Sequence, residues 1–167
     1  MITADDDTIA AFWTECRAVV DGLPDAAPEA WAFGATPEHA DQLLALVLSG
    51  TKTATSSALW DFEADGEDIP EVGSWNIILD GSGRPAALVQ TVGITIVPFE
   101  DVTAAHAHAE GEDDRSLASW REEHERYWRR YSTSRKAFDR RMPIVCEDLR
   151  LVHARGARGI DPVPQPA

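Results

Sequence analysis

No apolar run in this chain approaches the roughly 18 residues that a membrane-crossing helix needs, so the 167 residues hold no transmembrane-helix candidate. The opening Met1-Ile2-Thr3-Ala4-Asp5-Asp6-Asp7 is acidic and lacks the basic-then-apolar order of a secretory signal. A cytoplasmic location is the expectation. Cysteine is nearly missing, with Cys16 and Cys146 the only two. Two thiols so far apart form no zinc motif, and one disulfide is not a secreted framework. Both are expected to be buried free thiols. No P-loop, dinucleotide fingerprint or zinc signature is present, and His106 and His108, two apart, would not share a helix face. Positive charge is also scarce. With 15 Lys and Arg against 29 Asp and Glu, the net charge of −14 disfavours tight, nonspecific binding to a long polyanion.

What is present fits one domain with a real core: 44% apolar residues and six tryptophans argue against general disorder. The scarce positive charge is concentrated. From Arg126 to Arg141 seven basic residues face a single acid, Asp139, which marks either a local cationic face or a solvated helix end and loop.

Residues 5–21 read as an amphipathic helix, with Ile9, Phe12, Trp13, Cys16 and Val20 at helical spacing and Gly22 with Pro24 ending it. A connector through Pro28 would let this helix pack as an appendage. Thr36-Pro37 opens a second helix, whose stripe is Ala40, Leu43, Leu44, Val47 and Leu48 and whose stop is Gly50. After it come Thr51, Thr53 and Thr55, β-branched and suited to a strand, with Lys52 among them. The acidic stretch Asp61–Pro70 matches no calcium loop and reads as a mobile surface loop. Trp75–Leu79 and Pro85–Val92 form a predicted hairpin, and Gly93–Phe99 is either a new strand or the same one after a bulge. A short helix over Phe99–Ala109, a longer one over Ser116–Tyr131 and a last strand over Val145–Val152 complete the reading. On the longer helix Leu117, Trp120, His124, Tyr127, Trp128 and Tyr131 share a face, and His124 reads as a hydrogen-bonded, partly buried core histidine. Strands interrupted by helices without βαβ repeats point to a small mixed barrel.

The ordered features Phe33-Gly34, Leu48-Ser49-Gly50-Thr51-Lys52-Thr53-Ala54-Thr55, Val72-Gly73, Ile96-Val97-Pro98-Phe99, Ala109-Glu110-Gly111-Glu112, Ser116–Trp120 and Met142–Glu147 resemble the ASCH-domain family. The resemblance implies an α+β fold, a small PUA-like mixed β-barrel with flanking helices, here carrying an extra N-terminal helix. The implied division is residues 1–30 for that helix and connector, 31–153 for the ASCH domain and 154–167 for a disordered tail. The family often shows G-x-K-x-x-E-x-R. Gly50 and Lys52 match, whereas Thr55 replaces the glutamate and Ser57 the arginine, removing a fork that grips phosphate or carboxylate. Members that hydrolyse N4-acetylcytidine pair a lysine with a threonine three residues on and a later glutamate; Lys52, Thr55 and Glu112 match, with Glu110 the fallback.

The implied function is therefore a hydrolase acting on RNA or a modified ribonucleoside, with Lys52, Thr55 and Glu112 catalytic and Thr53, Ser57, Trp60, Glu110 and Arg130 contacting substrate. No cofactor or metal is expected. Thr55 would supply the nucleophile, Lys52 a base if desolvated, and Glu112 an orienting or proton-relaying carboxylate. A close Lys52–Glu112 ion pair would work against the base. Regular strand alternation would also point positions 52 and 55 to opposite faces, so a turn or bulge near Thr53 is required. A ribonuclease and a noncatalytic RNA- or ligand-binding module are the alternatives; in the latter the basic segment would contact phosphates.

Overall fold

A computed structural model describes residues 2–156. The first helix, α1 (Asp6–Val19), begins where the Asp5 side chain accepts from the Thr8 amide. A two-residue strand β1 (Ala30–Trp31) leads to α2 (Pro37–Leu48), which Thr36 caps through the His39 amide, as its sequence predicts. Strand β2 (Ala54–Ala58) then runs directly into α3 (Leu59–Asp65). The hairpin of β3 (Trp75–Leu79) and β4 (Pro85–Pro98) forms as expected, and the register shift between Thr91 and Gly93 makes β4 one long bulged strand. A 3₁₀ turn over Phe99–Asp101 precedes α4 (Ala104–Glu110) and α5 (Leu117–Tyr131), and β5 (Pro143–Ala154) closes the order.

The strands make one sheet in the order β1-β3-β4-β5-β2. Only the β1–β3 pair is parallel; the other pairs are antiparallel. The pairings leave β1 and β2 as the two edges of an open sheet, so closure into the expected barrel is not shown. The tail expectation also shifts, because β5 and its pairing with β4 extend to Ala154; residues 157–167 lie outside the described part.

Strand alternation distributes the core among helices on both faces. Ile78, Ala87, Val89 and Leu149 meet Leu43, Leu44 and Val47 of α2. Ile77, Leu79 and Leu88, on the opposite face, meet Phe12, Trp13 and Cys16 of α1. The N-terminal helix thus completes a core layer rather than hanging on as an appendage. A third cluster joins Trp120 and Trp128 of α5 to Phe99, Met142, Ile144 and Cys146. Both cysteines are buried and free, and burial pushes the Cys16 thiol up to about 12. No helix among the described residues is long and apolar enough to cross a membrane.

The first half of the acidic stretch is not the expected loop: Asp61–Asp65 belong to α3, which Gly66 ends in the left-handed region at φ 69°, while residues 67–70 carry no regular structure. Asp61 accepts from the Ser132 hydroxyl and from the amides of Thr133 and Ser134. Glu63 takes Lys136 at 3.1 Å. The acidic and basic segments therefore answer each other, which removes part of the predicted cationic face.

Candidate active-site cleft

Lys52 is placed by two backbone agreements. After Gly50 turns the chain at φ 77°, the amides of Thr51 and Lys52 both donate to the Leu46 carbonyl, at 2.9 and 3.0 Å. Lys52 thus lies just before β2. The turn or bulge expected at Thr53 is not what the chain adopts: the Thr53 carbonyl accepts from the Leu149 amide at 2.8 Å, continuing the pairing of β2 with β5, and Lys52 and Ser56 both reach Glu110. Next, the Thr53 amide donates to the Ala109 carbonyl at 2.7 Å, docking this turn on the end of α4. Gly111 then reverses the chain at φ 73°, and a Cβ there would stand 2.5 Å from the Thr51 carbonyl oxygen. Only a glycine permits both the left-handed turn and that approach. As a result Glu110, before the reversal, and Glu112, after it, close on the same lysine.

The Lys52 ammonium lies 2.7 Å from Glu112 Oε1 and 3.2 Å from Glu110 Oε2. The side chains of Lys52 and Glu110 are each 1% exposed, whereas Glu112 keeps 22%. Glu110 is the hub. Its Oε1 accepts from the Trp120 indole at 2.7 Å and from the Ser56 hydroxyl, and lies 3.1 Å from His106 Nε2. Its Oε2 also lies 3.5 Å from His124 Nε2. His124 stacks on Trp120 with centroids 4.2 Å apart, and its Nδ1 donates to the Trp120 carbonyl at 2.9 Å. The Phe33 ring lies beneath the lysine, 5.4 Å from Nζ to centroid.

Such burial is tolerable only because the charges answer one another. Burial opposes ionisation of Glu110, but the charges of Lys52 and His124, with hydrogen bonds from both histidines, hold it well below the usual carboxylate range. Burial likewise opposes the His106 imidazolium, yet Cys146 and Glu110 outweigh it and raise that ring from 6.5 to about 9. His124 is raised against its burial chiefly by the Glu110 charge. Away from this cluster, burial raises the carboxyl of Glu147, to which the Thr91 hydroxyl donates at 2.7 Å.

Lys52, Thr55 and Glu112 line one cleft of about 480 Å³. Glu110, Arg130, Tyr127 and Tyr131 also line it. Three other predicted contacts do not line it. The Thr53 hydroxyl donates to the Ala109 carbonyl, Ser57 sits opposite Val145 within the sheet, and Trp60 packs against the α5 core with Lys136 over its ring. Ser57 shares a strand face with Thr55 but lies two residues further along β2. Trp60 belongs to α3 and is partly buried against the core.

Ser56, His106, His124 and Arg126 went unassigned as site residues. His106 and Glu110, four apart on α4, carried the available signal, since that spacing places two side chains on one helix face. Ser56 carried none, because its hydroxyl gains meaning only when α4 is folded against β2.

A family model described as the ASCH domain matches residues 29–153. Protein EF3133 from Enterococcus faecalis V583, of family model DUF984, has a similar structure with TM-score 0.79 and 32% identity, over 87% of this chain and 88% of that one. An ASCH domain from Lactobacillus crispatus JV V101 aligns with TM-score 0.78 and 22% identity, over 89% and 95% of the two chains, and supports the fold alone. No curated protein matches the sequence. The lysine turn, the glycine reversal and the paired glutamates described above all fall within the matched residues, and the chain belongs to the ASCH domain family.

Proposed function

We propose that this ASCH domain protein is a hydrolase of a small, uncharged modified ribonucleoside, with an N4-acylated cytidine such as N4-acetylcytidine the sharpest candidate. The observation that supports this reading is that Lys52, Thr55 and Glu112 all line one cleft, with the Lys52 ammonium 2.7 Å from Glu112. Charge favours a nucleoside over an RNA strand. The lining sets Lys52, Arg126, Arg130 and the raised His124 against four carboxylates, Glu110, Glu112, Asp113 and Glu123, so it carries no excess of positive charge. Within a chain of net charge −14, that balance offers a polyphosphate little attraction.

The ion pairs revise the expected roles. Lys52, held by two carboxylates, acts as a hydrogen-bond donor to the oxyanion instead of as the base. The Thr55 hydroxyl attacks the acyl carbonyl carbon while its proton passes to Glu112, the more accessible carboxylate. Collapse breaks the carbon–N4 bond, Glu112 returns the proton to N4, and cytidine leaves an acyl ester on Thr55. Water attacks that ester, Glu112 takes the water proton and returns it to the Thr55 oxygen, and the free acid departs.

Incubation with N4-acetylcytidine, followed by chromatography, is expected to yield cytidine and acetate, with Thr55→Ala and Glu112→Gln reducing the rate at least ~10²-fold. Absence of cytidine above background from folded native protein overturns the hydrolase, and binding without turnover identifies the noncatalytic module. Cleavage of labelled single-stranded RNA would favour the ribonuclease instead.

A further inference from the structure

The atoms around Lys52 Nζ form a built cation site. One ligand atom each from Glu110, Glu112 and His124 lies within 4.8 Å of the others, and a cation, the lysine ammonium, already occupies the position between the two carboxylates. Each of these groups is oriented from behind. His124 Nδ1 donates to the Trp120 carbonyl and leaves Nε2 facing the cluster. Glu110 Oε1 is held by Trp120, His106 and Ser56, which leaves Oε2 for the cation. Outer partners of this kind, a carbonyl behind the imidazole and donors behind the carboxylate, orient the ligands of metal centres.

We propose that Lys52 is a tethered cation filling a two-carboxylate, one-histidine metal position, and that this position accepts a divalent transition metal when the lysine side chain is removed. Two carboxylate oxygens and one imidazole nitrogen suit Zn²⁺ or Co²⁺, with a water completing four-coordination. In the native chain the ammonium supplies local positive charge without an exchangeable ion. Metal competes with it only by expelling it from between two anions.

The test titrates Co²⁺ into native protein, Lys52→Ala and Lys52→Met, following the visible bands of a low-coordinate cobalt site, and repeats it with Zn²⁺ by calorimetry. The native chain is expected to show neither bands nor stoichiometric heat. The lysine variants are expected to bind one ion per chain, and to lose it when Glu112→Gln or His124→Ala is added. If a lysine variant folds poorly, thermal melting with Zn²⁺ serves as the readout: stabilisation of the variant but not of the native chain supports the site, since bound metal adds to stability. The proposal is overturned by native protein binding as tightly as the variants, by variants that neither bind nor gain stability from the ion, or by binding that survives loss of both Glu112 and His124. None of these readouts depends on which substrate the cleft takes.

Discussion

The native protein is expected to lose stability as pH rises through His106. In the fold this ring titrates at about 9, against an ordinary 6.5. A group raised on folding stabilises fully below its unfolded value, and that contribution fades as pH climbs through the folded value. The window is therefore the interval from 6.5 to about 9, and the sign is destabilisation on the alkaline side. At 1.36 kcal/mol for each tenfold change in proton affinity, the full contribution is at most about 3 kcal/mol. That is a large share of a domain stability of roughly 5–15 kcal/mol. The side chain is only 10% exposed, so solvent screening removes little of it. Urea unfolding of native protein and of His106→Gln, at about pH 6 and about pH 9.5, isolates the effect as a difference of differences, because the other titrating groups are common to both. Native protein should lose up to about 3 kcal/mol more than the variant across the interval. A native stability that falls no more steeply than that of His106→Gln refutes the reasoning, and would mean that Cys146 and Glu110 do not hold the imidazolium.

Glu110→Gln preserves shape but leaves Lys52, His106 and His124 with Glu112 as the remaining carboxylate of the cluster; it is expected to cost about 3–5 kcal/mol in urea unfolding. In the same variant NMR titration should find His106 shifted towards its ordinary value, and an unshifted ring would remove Glu110 as the cause. The glycine reversal can be tested by a pair of substitutions. Gly50→Ala meets nothing within 4 Å and should cost only the left-handed strain, about 1–2 kcal/mol. Gly111→Ala adds the collision with the Thr51 carbonyl and should lower the thermal midpoint further; equal losses would show that the close approach is unimportant.

Much of the architecture was legible locally. The Thr36 cap, the hairpin of β3 and β4, the bulge at Gly93 and the Trp120–Trp128 face of α5 are consequences of turn chemistry and hydrophobic period, which act over a few residues. Two other features depend on nonlocal partners. Asp61 and Glu63, in the helical half of the acidic stretch, meet Ser132, Thr133, Ser134 and Lys136, some 70 residues away, and a charge run by itself carries no sign of such partners. Closure of the sheet depends on whether the edge strands reach each other, a matter of strand length and sheet twist that periodicity does not encode.

The site divides along the same line. The sequence by itself determined which groups were available: a lysine after a helix-ending glycine, a threonine three residues on, and two glutamates flanking a glycine. Only the tertiary structure decided that Lys52 lies outside the strand, that both glutamates close on it, and that His106, His124, Trp120 and Ser56 converge behind Glu110. The physical reason is that a buried charge is set by everything within a few ångströms, and here those neighbours come from β2, α4, α5 and the turn before β2. Residue identity named the lysine as a possible base; its two carboxylate partners made it a cation held in place.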